Sequence, residues 1–269
     1  MCSSDLQLPE EVVKVARHCM LDWYGCAVAG SREPLAQILR EEFGHRAGNC
    51  SVIGTDLKVD APTAALLNGS SGHALDYDDT GSKVGGHTTA PVLPAVLAVA
   101  EETGATGEEI LTAFVVGVEV EGRISRAMGR DHYARGWHTT ATYGAFGAAA
   151  AVAHLLQLDA EQYGRTMGLA ASHASGVKAN FGTMTKPFHA GHAAESGVNA
   201  ARLAARGFTA NPDAVSGNQG FIPAASTVSE ETRGDTDEWM IMGTLFKYHA
   251  ACHLTHAAIE SVQIGRAHV

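Results

Sequence analysis

The sequence predicts an all-α domain, and three observations carry that expectation. Aromatic residues are only 6% of the 269 while Ala and Gly are abundant, which suits closely packed helices and deprives a β-sandwich of its strands. Apolar residues recur at three- and four-residue steps through most of the chain. Short links bearing Gly, Pro or Asp separate these periodic runs, with almost no alternating pattern between them. At 45% apolar content the chain can bury one large core, and no internal boundary, repeat or low-complexity segment divides it.

In chain order, Val12, Val13, Ala16, Cys19, Met20, Trp23 and Ala27 trace one face of a helix over 9–29, with Pro9 in its first turn and Gly30 at its end. The pattern repeats over 33–43 and stops at Gly44, while Ser51-Val52-Ile53-Gly54 makes 50–59 a short surface hairpin. An Ala- and Leu-rich helix is expected over 62–75. Two more, 91–102 and 108–128, flank Thr103-Gly104-Ala105-Thr106-Gly107, and the second opens on Thr106-Gly107-Glu108-Glu109, a capping-box pattern. Its Phe114-Val115-Val116 interior has strand-like composition, but length and flanks decide for helix. Helices over 141–156, 159–172 and 187–206 continue the series. A Gly/Ser/Asn stretch then runs from Asn211-Pro212 to Pro223, 226–238 is polar, and a last helix is expected to start near Ala250.

The net charge of -10, with no Lys/Arg stripe to offset it, excludes nucleic acid as a partner. An anionic substrate must therefore meet a local basic cluster. Cys2, Cys19, Cys26, Cys50 and Cys252 show no CxxC spacing, so neither a disulfide framework nor a zinc ribbon is expected, and a reducing cytoplasm is the simplest compartment. No apolar run approaches the roughly 20 residues of a membrane helix, and no signal peptide precedes Pro9. The ends read as foreign: Ile264-Gly265-Arg266-Ala267-His268-Val269 back-translates to a common sequencing adapter, and Cys2-Ser3-Ser4-Asp5-Leu6 to the reverse complement of its core. Residues 7–263 are thus expected to be the native segment of a longer gene, with 1–6 and 264–269 derived from the adapter.

Four stretches carry chemistry. In Gly72-His73-Ala74-Leu75-Asp76-Tyr77-Asp78-Asp79-Thr80, carboxylates crowd a predicted helix C-terminus, where negative charge costs up to about 1 kcal/mol. A solvated helix end explains such a cluster by itself, but His87 at the next helix start gives it a use. Arg135-Gly136-Trp137-His138 sets a second histidine at a helix N-terminus, a good seat for a carboxylate. Gly182-Thr183-Met184-Thr185-Lys186-Pro187 sets a lysine before a helix, with Lys186, His189 and His192 stepping by three along one side. Lys247 precedes His249, His253 and His256, spaced like metal ligands on one helix but without an HExxH signature. Basic helix starts plus an acidic cluster fit removal of a proton α to a carboxylate, with histidine as base and cations holding the developing charge.

Together these stretches resemble the MmgE/PrpD family, which includes 2-methylcitrate dehydratase, cis-aconitate decarboxylase and iminodisuccinate epimerase. The resemblance runs over residues 7–263 and also takes in Val92-Leu93-Pro94-Ala95, His189-Ala190-Gly191 and Thr255-His256. It implies a large helical domain joined in the full protein to a smaller α+β lid, absent from this sequence, with the site between them. It further implies a homodimer that needs no metal or cofactor. Position by position it makes Asp76, Thr80, His87, His138, Lys186 and Lys247 active-site residues: His87 with Asp76 and Thr80 for the chemistry, the basic residues for substrate carboxylates. Cys252 stands where the decarboxylases place a histidine, which leaves His253, one step later, as the further binding residue. The His87 loop is also one residue longer than theirs.

The resulting expectation is a lyase that removes water from a small di- or tricarboxylate such as 2-methylcitrate, in propionate metabolism. An epimerase, isomerase or decarboxylase of the same family is the alternative. A metal-dependent all-α hydrolase using His249, His253, His256 and the Asp cluster is the reading from another class. The 269-residue chain alone, without a lid, is expected to be inactive.

Overall fold

Every helix expected before residue 206 forms, in order: α1 (Glu10–Gly30), α2 (Pro34–Phe43), α3 (Ala61–Gly72), α4 (Thr89–Thr103), α5 (Gly107–Ala134), α6 (Thr139–Leu155), α7 (Ala160–His173) and α8 (Thr185–Ala205). The computed structural model describes residues 7–227 and 238–267; the proposed foreign residues 1–6, 268 and 269 and most of the polar run lie outside them. Between α2 and α3, β1 (Ala47–Ser51) and β2 (Lys58–Val59) form the antiparallel hairpin, starting earlier than residue 50. The capping box at α5 is present, with Thr106 N–H donating to Glu109 at 2.7 Å and Glu109 N–H donating back to the Thr106 hydroxyl. A second box, Asp159 with Gln162, opens α7. Free Cys19, Cys26 and Cys50 are buried, and Cys252 is exposed. Among the described residues, no helix is long and apolar enough to cross a membrane.

Helix α6 is the axis of the domain. It is buried on every side from Thr139 to Ala153, its interior apolar all round and its threonines gathered in the first turn, and its Ala and Gly residues let α4, α5 and α8 approach closely. On α8, Gly191 lies against α3 so tightly that a Cβ would meet the Leu66 carbonyl oxygen at 2.2 Å and the Ser70 nitrogen at 2.8 Å. Those are backbone atoms and cannot swing away. Gly191→Ala should therefore cost about 1–3 kcal/mol of stability in urea unfolding. A variant as stable as the parent would show that α3 and α8 separate freely.

Three boundaries differ from expectation. Helix α3 stops at Gly72, so the acidic run is a loop and not a helix terminus: Asp76 takes φ 49, a left-handed conformation that breaks the right-handed helical repeat. Helix α5 runs on to Ala134 through a kink at Gly129 (φ 66, ψ -175). The last helix, α10 (His256–Ala267), starts later than residue 250 because Cys252 is extended (ψ 130) and His253–Thr255 forms a 3-10 turn. His249, His253 and His256 therefore do not share a helix face. A five-residue α9 (Phe221–Ala225) occupies part of the predicted loop. Finally, β3 (Thr80–Gly81) pairs antiparallel with β4 (Thr244–Leu245), tying the end of the chain to the acidic loop.

Candidate active site

The first turns of α4, α6 and α8 meet at one end of the domain, beside the loop that leaves α3. The Thr140 hydroxyl of α6 accepts from His87 N–H at 3.0 Å, and Thr139 donates to the Gly85 carbonyl at 2.6 Å, locking the His87 loop to α6. His138, the residue before α6, donates its N–H to the Gly176 carbonyl at 3.0 Å. Gly176 (φ 118) permits this approach, since a Cβ there would lie 2.7 Å from the Ala141 methyl. Helix N-termini carry positive partial charge, so their convergence favours anionic groups here.

Asp76 is the hub. Its carboxylate accepts from Lys186 at 2.5 Å and Lys247 at 2.7 Å, and its carbonyl accepts from Lys247 at 2.5 Å. Burial alone would raise this carboxyl, but His73, His87 and Lys186 outweigh it and hold it at about 2. Lys247 reaches the site because β4 pairs with β3 two residues before it. Its side chain is fully buried, whereas the Lys186 ammonium also lies 5.4 Å from the Phe181 ring centroid. One carboxylate thus bridges two ammonium groups.

Behind Asp76 lies a histidine array. His87 Nε2 is 3.4 Å from Asp76 Oδ1, while His87 Nδ1 is 2.9 Å from Asp78 Oδ2. Asp78 is fully buried and also bonds His73 Nδ1 at 2.8 Å. Burial would raise the Asp78 carboxyl, but His73 and His87 hold it well below the usual range. His73 is pushed down to about 4, by burial against the pull of Asp78, and so is neutral near pH 7. His138 is pushed to about 2 by burial, then by His73, His189 and His87; its Nδ1 pairs with His189 Nδ1 at 3.0 Å. It is therefore neutral near pH 7.

Asp79 sits deeper, accepting from Thr89 at 2.5 Å while its N–H donates to Asp22 of α1 at 3.0 Å. Burial, opposed by the Thr89 bond and reinforced by Asp78 and Asp22, raises it to about 7. The native chain thus keeps this proton up to about pH 7, whereas the unfolded chain releases it near 3.8, so Asp79 withdraws stability as pH rises between those values. Asp79→Asn keeps an acceptor for Thr89 and should be more stable than the parent at pH 8, with the gain vanishing near pH 4. Urea unfolding at both pH values checks this, and an equal difference at both would refute it.

Of the residues predicted from sequence, Asp76, His87, Lys186 and Lys247 form one cluster, and His138 joins it through His73 while bonding His189. Thr80 is half-buried in β3, its backbone paired with Leu245. His253 is exposed, its ring stacked on His256 at 5.1 Å. Slight burial, then His256, Lys247 and His87, lower its pKa. His249 instead bonds Glu260 at 2.5 Å, and on α8 His192 pairs with Glu195 and stacks on Phe188. Sequence reasoning assigns no catalytic or binding role to His73, His189 or Asp22.

Among the described residues, one group of ligand-type side chains converges, His73, Asp76, Asp78 and His87, with donor atoms within 4.8 Å of one another. Two ammonium groups already occupy the Asp76 oxygens, and both Nδ1 atoms bond Asp78. A divalent cation placed here would meet lysine charge at contact distance, so the geometry is that of an ion-pair network.

Fold and site together define a helical domain whose converging helix starts hold a lysine-bridged carboxylate against a histidine–aspartate array. A family model described as the MmgE/PrpD N-terminal domain matches residues 6–232, and the chain belongs to that family. It is 30% identical over 277 residues to the cis-aconitate decarboxylase-like protein oryM of Aspergillus oryzae, covering 95% of this chain and 58% of that protein. It is 30% identical over 275 residues to cis-aconitate decarboxylase of Aspergillus terreus, covering 95% and 56%. With the Homo sapiens cis-aconitate decarboxylase it shares 32% identity over 222 residues, 80% of this chain and 46% of that enzyme. The chain spans about half the length of these relatives.

Proposed function

We propose that this domain supplies the proton-transfer half of a lyase that acts on a small di- or tricarboxylate without a metal. The observation that carries the reading is the placement of His87 Nε2 3.4 Å from a carboxylate already bridged by two lysines. A substrate carboxylate entering beside Asp76 meets the same ammonium groups, and its α-carbon then lies within reach of the imidazole. The lysines hold the charge that develops when the C–H proton moves to His87, and the β-hydroxyl then takes that proton from protonated His87 as its C–O bond breaks, leaving as water and completing a dehydration. Residues outside this chain complete the site, and the whole protein works as a homodimer.

A second reading, decarboxylation, is supported by the names of the relatives. There the bond to one carboxylate breaks, CO₂ leaves, and the carbon that keeps the electron pair takes a proton from protonated His87. The test is incubation of the full-length gene product with 2-methylcitrate, cis-aconitate and iminodisuccinate in D₂O, followed by NMR. Loss of water, loss of CO₂ and inversion with deuterium uptake separate the three chemistries, and absence of both turnover and exchange on all of them rejects the reading. Dialysis against EDTA should leave the rate within about twofold; a loss of activity restored by a divalent cation would reject metal independence.

A further inference from the structure

His87 can serve as a base only if its free lone pair faces the substrate. A neutral imidazole has one N–H and one lone pair, and whatever holds the other nitrogen decides which is which. His87 Nδ1 lies 2.9 Å from Asp78 Oδ2, and an ionised carboxylate only accepts, so Nδ1 must donate. That leaves the lone pair on Nε2, whose neighbour Asp76 Oδ1, at 3.4 Å, is itself an acceptor and long for a hydrogen bond.

Asp78 is held in turn. His73 Nδ1 reaches both of its oxygens, at 2.8 and 3.0 Å, from the residue that caps the C-terminus of α3. The same argument fixes His73 as the Nδ1–H form, and its buried Nε2 has no hydrogen-bond partner. The His73 and His87 rings meet edge to face at 4.3 Å between centroids, so neither can flip independently. A proton arriving from substrate therefore stays on His87, beside the Asp78 charge, and has no route to a stabilised His73.

We propose that Asp78, anchored by His73, is the positioning residue that fixes His87 as the Nδ1–H tautomer and aims its basic Nε2 at the lysine-bridged carboxylate. This deepens the proton-transfer reading above and rests on it for its catalytic meaning, but the tautomer can be measured without any substrate. In the chain labelled with ¹⁵N-histidine, long-range ¹H–¹⁵N spectra distinguish the N–H nitrogen from the bare one, and the spectrum of His87→Gln assigns the His87 signals. Nδ1–H is expected for both His73 and His87. An Nε2–H form at His87 overturns the proposal, whatever the enzyme turns over. Asp78→Asn, which preserves shape but brings an N–H₂ group, should move at least one ring to the Nε2–H form. In the full-length enzyme it should lower kcat by roughly 10²–10⁴-fold with KM changed less than about threefold. Native-like folding of that variant with unchanged tautomers, or kcat within about threefold of the parent, overturns the proposal. A parent enzyme with the expected tautomers but no turnover removes the function and leaves the tautomer assignment standing.

Discussion

His87→Gln in the full-length enzyme should cut kcat by roughly 10²–10⁴-fold, the span of a lost general base, while KM stays within about threefold. The split follows from where the residue sits. In the proposed site the substrate carboxylates meet Lys186 and Lys247, which bond Asp76 rather than His87. The loop itself is pinned through the His87 backbone N–H to Thr140 and the Gly85 carbonyl to Thr139, neither of which involves the imidazole. Substitution therefore removes the proposed proton acceptor and leaves the proposed binding groups in place. One structural cost is expected: Asp78 loses a donor, worth about 1–3 kcal/mol for a charged acceptor, so unfolding must be measured alongside. Solvent deuterium exchange at the substrate carbon gives the decisive reading. A variant that exchanges at the parental rate, or whose defect lies entirely in KM, would make His87 a binding residue.

The helical architecture is legible because its cause is local. Apolar spacing marks α1 to α8, and Pro, Gly and capping residues mark their ends, so the sequence shows both the faces and the limits of each helix. What escapes depends on contacts between distant residues. Lys247 meets Asp76 across 171 positions through a two-residue strand pair, too short to leave an alternating pattern. The end of α3 is masked because Ala74 and Leu75 continue the helical composition, while the left-handed turn at Asp76 is held by the lysines that bind it. Reading His249, His253 and His256 as one face assumes a helix that an extended Cys252 prevents.

The site is half legible for the same reason. Asp76, His87 and Lys186 stand at loops and helix starts, where a charged residue invites explanation. His73 and His189 fall within the stretches that carry chemistry, but at the end of α3 and inside α8 spacing alone gives them no role. The available signal for His73 is its place five residues before a buried aspartate in the same loop. Composition points to the fold class, but only the meeting of three helix starts makes the carboxylates and histidines one array.

Asp76→Asn should destabilise the domain by about 2–4 kcal/mol, somewhat under the roughly 3–5 typical of breaking a fully buried pair, because 24% of the Asp76 side chain is exposed. Asparagine is the informative choice. It tolerates the left-handed backbone at φ 49, so the substitution removes charge without adding strain. The buried Lys247 ammonium then keeps its bond to the residue 76 carbonyl and loses the carboxylate that balances its charge. The pH dependence has a definite sign. Asp76 is held at about 2 in the folded chain against an ordinary 3.8, so its contribution is complete above about pH 4 and disappears as pH falls toward 2. The parent should therefore lose more stability than the variant across that window, and parallel curves would sink the argument. A polycarboxylate in excess should restore part of the lost stability near neutral pH, by supplying the missing negative charge to Lys186 and Lys247. If the same ligand stabilises parent and variant equally, those lysines do not receive carboxylates, and the proposed substrate class falls with them.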